Sequence, residues 1–224
     1  MVEALQNRGN TLVVIGAFAP AMFHPSWFAR YELLGDKEIA VAAEATNLLV
    51  SNEISLFKIG GFDIDIRPNR LQIGTSQESL FKANRDLVCS MLEVIDGIPV
   101  EQIGINWTGH FATQTGTAWH AAGDKLVPKT FWKSIWPKHV GMSNLSLEFE
   151  RKDERKGSIN LAFQPSSVVT NGVFLAINDH FDLKNADKAT YSTEVAAFLQ
   201  THWSESKVMA EKMFDDVWLE ISNA

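Results

Sequence analysis

The sequence predicts an α+β protein in which one succession of elements runs twice along the chain: strand, helix, three or four antiparallel strands, helix. Three observations carry the prediction. Two apolar strand-like runs, Thr11–Ala19 and Val100–Trp107, each contain an Ile-Gly step, Ile15-Gly16 and Ile103-Gly104. Each run is followed by aromatic helical sequence and then by short runs separated by turn residues. Each half closes on a longer helical segment, Leu80–Ile95 in the first and Tyr191–Ile221 in the second. The order places pseudo-repeat 1 at about residues 11–97 and pseudo-repeat 2 at about 98–224. No Pro-, Gly- or Ser-rich linker separates residues 90–110, so the halves are expected to share one curved sheet in a single intertwined domain, 1–224.

In the first half, Pro25 suits a first helical position because its missing N–H would have no intrahelical partner there. Trp27, Phe28, Tyr31 and Leu34 then fall on one helix face, which is expected to be core. A strand is expected over Glu38–Glu44. Strands follow at Glu53–Ile59, Phe62–Arg67 and Leu71–Thr75, with Gly60-Gly61 and Pro68-Asn69 as the turns between them. Phe62, Ile64 and Ile66 alternate with Asp63, Asp65 and Arg67, the period of a sheet with one wet face. Thr75 and Glu78 have the spacing of a capping box. Leu80, Leu87, Val88, Met91, Leu92 and Ile95 trace the buried face of the helix that follows, and Asp96-Gly97 ends it.

In the second half, WHAAGDKLVPKTFW (119–132) poses the main functional question. Trp119, Ala122 and Leu126 share one helix face, and His120 and Asp124, four residues apart, share the neighbouring edge. Pro128 ends that helix and starts another, whose Phe131, Trp132, Ile135 and Trp136 mirror the aromatic face of the first half and are read as core or interface. Strands are expected at Asn144–Arg151, Gly157–Gln164 and Gly172–Phe181. Arg151, Lys152, Arg155 and Lys156, interleaved with Asp153 and Glu154, read as the tip of a solvated hairpin.

Composition narrows the function. Apolar residues make up 46% and charged residues 21% of 224, a globular balance. A formal net charge of −7 opposes nucleic acid and anionic membrane as partners. Cys89 is the single cysteine, which rules out an internal disulfide and a thiolate metal cluster and suits a reducing cytoplasm. The apolar run Leu12–Phe23 is interrupted by Gly16 and Pro20 and falls short of the ~20 residues of a membrane span. It also lacks the pattern of a signal peptide.

No P-loop, GxGxxG, HExxH or GxSxG occurs. The expectation is therefore no catalytic residue, no metal and no cofactor. Asp63 and Asp65 have the spacing of a Mg²⁺-binding pair on a strand, but as part of a wet face balanced by Arg67 they read as ordinary surface. Asp179 interrupts the apolar row Val173, Leu175, Ile177, Phe181 and Leu183, and a carboxylate buried there demands a partner. His110, near a strand end, is placeable with His120 and Asp124 as a three-ligand set, though a solvated edge is the plainer reading. The candidate ligand- or partner-binding residues are His110, His120, Asp124, Lys125 and Asp179.

The stretch RPNRLQIGTSQESLFKANRDLVCSMLEVIDGIPVEQIGIN, together with the later AINDHFDL and the helical tail, resembles a sporadically distributed group of uncharacterised bacterial proteins. The resemblance covers most of the chain on structural motifs and implies no activity for any residue. It implies an accessory role, in the manner of bacterial defence or toxin-antitoxin loci. The repeated order is also similar to the saddle of TATA-binding-protein-like folds. Seven Trp and 14 Phe supply aromatic anchors of the kind that dominate interfaces. The expected function is a non-enzymatic protein that binds another protein or itself. The alternative is a small-ligand-binding or enzymatic module with a cavity between sheet and helices.

Overall fold

A computed structural model describes residues 5–113, 115–183 and 190–222. The elements are β1 (Leu5–Gly16), α1 (Pro25–Arg30), α2 (Asp36–Ala43), β2 (Leu49–Val50), β3 (Ser55–Ile59), β4 (Phe62–Arg67), β5 (Arg70–Thr75) and α3 (Phe81–Val94). There follow β6 (Pro99–Ala112), α4 (Gly116–Leu126), α5 (Thr130–Ile135), β7 (Leu145–Glu150), β8 (Gly157–Pro165), β9 (Gly172–Asp182), β10 (Thr190–Tyr191) and α6 (Ser192–Ser222). The strands form a single ten-stranded sheet in the order β2-β3-β4-β5-β1-β6-β9-β8-β7, with β10 added to β6. Every pairing is antiparallel. The fold is thus α+β, as the alternation in the sequence predicts.

Period-2 patterning puts the helices on one face of this sheet. Leu12 and Val14 of β1, Ile103, Ile105 and Trp107 of β6, and Leu175 and Ile177 of β9 are all buried. They form one core with the inward residues of α3 and α6. The opposite face carries a neutral row, in register across four strands: Thr11, Asn106, Asn178 and Asn160. Trp107 packs edge-on to Phe81 and against Trp203, and its indole N–H donates to Ser206 Oγ at 3.0 Å. No helix among the described residues is long and apolar enough to cross a membrane.

Three local expectations are corrected, and a fourth, core or interface for the aromatic face of α5, loses one of its two alternatives. Residues 36–43 form α2 rather than a strand. Ala40, Ala42 and Ala43 favour helix, and only Ala42 is fully buried while Val41 points to solvent. The Thr75–Glu78 capping box does not form. Thr75 Oγ1 accepts from the Gln77 N–H and donates to Gly61 O, whereas Glu78 accepts from Arg8 at 2.6 Å. β1 begins six residues earlier than predicted because its first half buries polar groups: Arg8 bridges Glu78 and Glu211, and Asn10 lies beside Asn84. The aromatic face of α5 is not core: Phe131, Trp132, Ile135 and Trp136 are 63%, 47%, 60% and 62% exposed.

Candidate binding surface at the β7 end of the sheet

The two ends of the sheet are covered differently. At the β3 end, the inward residues Ser55, Phe57 and Ile59 are buried beneath α1 and α2. Phe28 of α1 meets Phe57 edge-on, with ring centroids 5.9 Å apart. Ser55 Oγ donates to Phe23 O at 2.7 Å just before that helix. At the β7 end, the inward row is Leu145, Leu147 and Phe149, and the last two are 42% and 39% exposed. This shelf continues into an apolar depression of about 250 Å³ formed with Leu161, Phe163, Met213 and Val217. β7 is also the last strand of the sheet, so its outer backbone edge has no neighbour among the described residues.

Beside the shelf, between β7–β9 and α6, lies a groove of about 580 Å³. Phe149, Ile159, Phe181, Met209 and Met213 give it apolar walls, and it closes on Asp179 and Arg151. Arg151 is the correction to the hairpin reading: it leaves the tip and turns inward, with its side chain only 7% exposed. One guanidinium nitrogen donates to Asp179 and to His180 O. The other two grip both oxygens of Asp153 at 2.8 and 2.9 Å, and the cation lies 3.8 Å from the Phe181 ring centroid. Burial works against the charge of Arg151, but the bonds to Asp153 and Asp179 outweigh it and hold its pKa above the ordinary value. The same bonds from Arg151, helped by Arg155, keep the Asp153 carboxyl well below the usual range against an opposing effect of burial. Asp179 therefore has the partner its position demands, an ion pair with Arg151 that the sequence places 28 residues away.

His120 and Asp124 meet in a separate pocket of about 150 Å³, lined also by Trp119, Lys129, Lys133 and His139. Lys129 is buried and donates to the carbonyls of Gly123 and Val127, with Asp124 Oδ1 at 3.4 Å. Its ammonium thereby satisfies the last carbonyls of α4, where a cation is favoured. Trp119 is half-buried, and its indole N–H donates to Gly172 O at 2.9 Å. Lys125 lies outside this pocket and pairs with Glu220 at 3.1 Å.

His110 does not join them. It belongs to the row of β6 that faces away from the helices, where Nδ1 contacts Ser166 Oγ at 2.8 Å and the ring packs on Phe174. Burial lowers its pKa. The sheet stands between His110 and α4, and the described residues hold no group of three His, Cys, Asp or Glu able to share a metal. Asp63 and Asp65 are likewise taken up, by Lys58 and by Arg67 with Arg70.

No protein-family model matches the chain, and no curated protein matches it.

Proposed function

We propose that the protein is a non-enzymatic interaction module that receives a partner protein at the β7 end of its sheet. One observation carries this reading: Leu147 and Phe149 occupy core-facing positions of β7 yet remain 42% and 39% exposed, at the lip of an apolar depression formed with Leu161, Phe163, Met213 and Val217. Contiguous exposed apolar surface of this kind is characteristic of interaction sites. Met209 and Met213 in the groove wall supply adaptable surface, and the open edge of β7 can accept a further strand. The partner presents large apolar side chains to this shelf.

We further propose that the fold is a duplicated unit with saddle-like order. The strand path supports it: β3-β4-β5-β1 on one side of the central pair corresponds to β7-β8-β9-β6 on the other, with α3 and α6 in equivalent places. The small-ligand reading keeps one specific support, the groove that closes on Asp179. It would show as a molecule retained on the purified chain in native mass spectrometry.

The interaction reading is tested by placing a photo-crosslinking amino acid at Leu147 and, as a control, at Leu56 on the outer face of β3, in the cells that make the protein. A discrete protein adduct from position 147 and none from position 56 is expected. Absence of any protein adduct from position 147 would defeat the reading.

A further inference from the structure

β7 leaves three sets of groups unused, and each fixes one property of the element that can lie beside it. The first set is backbone. β7 ends the sheet and pairs with β8 alone, and residues 145–150 make no other backbone hydrogen bond among the described residues. Its outer edge is a row of donors and acceptors that an extended chain can pair in register, whereas a helix spends those groups on itself.

The second set is the row facing the helices. Leu145, Leu147 and Phe149 lie opposite Phe163, Leu161 and Ile159 of β8, and Leu147 and Phe149 are 42% and 39% exposed beside the apolar depression. Side chains on a neighbouring strand come within about 5 Å of such a row at every second position. Those positions must be apolar.

The third set lies on the opposite face, where Glu148 and Glu150 are exposed. Their cross-strand neighbours are Asn160 and Ser158, and neither carboxylate has an ion pair among the described residues. The other end of the sheet shows what is missing. One continuous row crosses this face from Lys58 and Asp63 through Gly74, Thr11, Asn106, Asn178 and Asn160 to Glu148. At its far end Asp63 is answered from the adjacent strand by Lys58 at 2.6 Å. Glu148 has no adjacent strand to supply the cation.

We infer that β7 receives an extended segment of another protein as an added strand, with large apolar side chains on the helix side alternating with Lys or Arg opposite Glu148 and Glu150. The inference rests on the reading of the β7 end as a protein-binding surface and names the form and charge of what binds. A second copy's β7 does not fit. Its LSLEFE sequence sets carboxylates opposite or diagonal to Glu148 and Glu150, and like charges across strands destabilise.

Fluorescence anisotropy with the full chain tests the inference. The probe is the dye-labelled peptide Lys-Phe-Lys-Val-Lys-Phe-Lys, with two controls: Lys-Lys-Phe-Phe-Val-Lys-Lys, of equal composition and no alternation, and the probe with every backbone nitrogen methylated. The probe should bind with a Kd on the order of 100 µM, and both controls at least about tenfold more weakly. The variant Glu148→Lys/Glu150→Lys changes exposed positions and should melt close to the parent. It should reverse the preference, binding Glu-Phe-Glu-Val-Glu-Phe-Glu more tightly than the Lys probe.

No binding of the probe up to about 1 mM overturns the inference, as does equal binding of either control or a preference unchanged by the charge-reversed variant. If the probe fails while position 147 crosslinks to a protein in cells, the form of the partner has been named wrongly and the interaction reading stands. If position 147 gives no adduct at all, the interaction reading itself falls.

Discussion

Arg151 and Asp179 form an ion pair with side chains only 7% and 4% exposed, reaching from the end of β7 to the inward row of β9. It ties the hairpin of β7 and β8 to the core at the floor of the groove beside α6. Removing Arg151 leaves Asp179 as a buried charge without its counterpart, which costs about 3 to 5 kcal/mol, whereas removing Asp179 leaves Arg151 still bound to Asp153. Arg151→Met is therefore expected to lower the urea midpoint sharply. The double variant Arg151→Met/Asp179→Leu, which removes both charges, should recover most of that loss. Equal destabilisation by the single and the double variant would mean that packing, and not charge, dominates here.

The WHAAGDKLVPKTFW stretch separates into three behaviours. Trp119 is half-buried and bonded to Gly172 O, so Trp119→Ala should cost about 2 kcal/mol, less than the 3 to 5 of a fully buried aromatic. His120 is exposed, and His120→Ala should stay within about 0.5 kcal/mol. Asp124 faces the buried ammonium of Lys129, so Asp124→Ala should cost about 1 kcal/mol, between the two. Thermal melts of the three variants give the ranking, and a His120→Ala loss larger than that of Trp119→Ala would reverse it.

Cys89 is buried beneath α6, with its thiol on Ala196 O, and burial pushes its pKa up from 9.0 to about 12. A pKa raised in the folded state stabilises fully below the unfolded value and is lost as pH rises above it. Stability should accordingly fall between pH 9 and about 12. A Cys89→Ala variant should show a smaller decline in urea midpoint across that window. At pH 8 the native thiol should react with Ellman's reagent only as fast as the chain opens, and immediate labelling would contradict its burial.

β1 and β6 are the central pair of the sheet, joined in antiparallel register from Leu5↔Phe111 to Gly16↔Val100. Cutting the chain between Gly97 and Pro99 strips both strands of that partner and α3 of α6. Residues 1–97 expressed alone are expected to aggregate, since long unpaired edges template further pairing. A soluble fragment with a cooperative melt would show that the halves fold independently.

What the sequence made legible follows the local physics of each segment. The β4 boundaries were readable from Phe62, Ile64 and Ile66, and the α3 face from Leu87 to Ile95, because apolar period and turn residues agree there. The start of β1 was hidden because its inward positions are Arg8 and Asn10, whose partners Glu78, Glu211 and Asn84 lie far along the chain. The same holds at the candidate site. Asp179 stood out as a carboxylate in an apolar row, but its partner Arg151 looked like part of a charged hairpin tip. Nor could periodicity tell that the aromatic face of α5 stays in solvent, since core and interface helices share one pattern.

Hydroxyl-radical footprinting, comparing the protein in the cells that make it with the purified chain at high dilution, tests most directly whether the β7 end is a protein-binding surface. The prediction is several-fold slower oxidation of Leu147 and Phe149 in cells, with Tyr31 and Met22, exposed elsewhere on the molecule, unchanged. Equal rates at Leu147 and Phe149 in the two settings would contradict it.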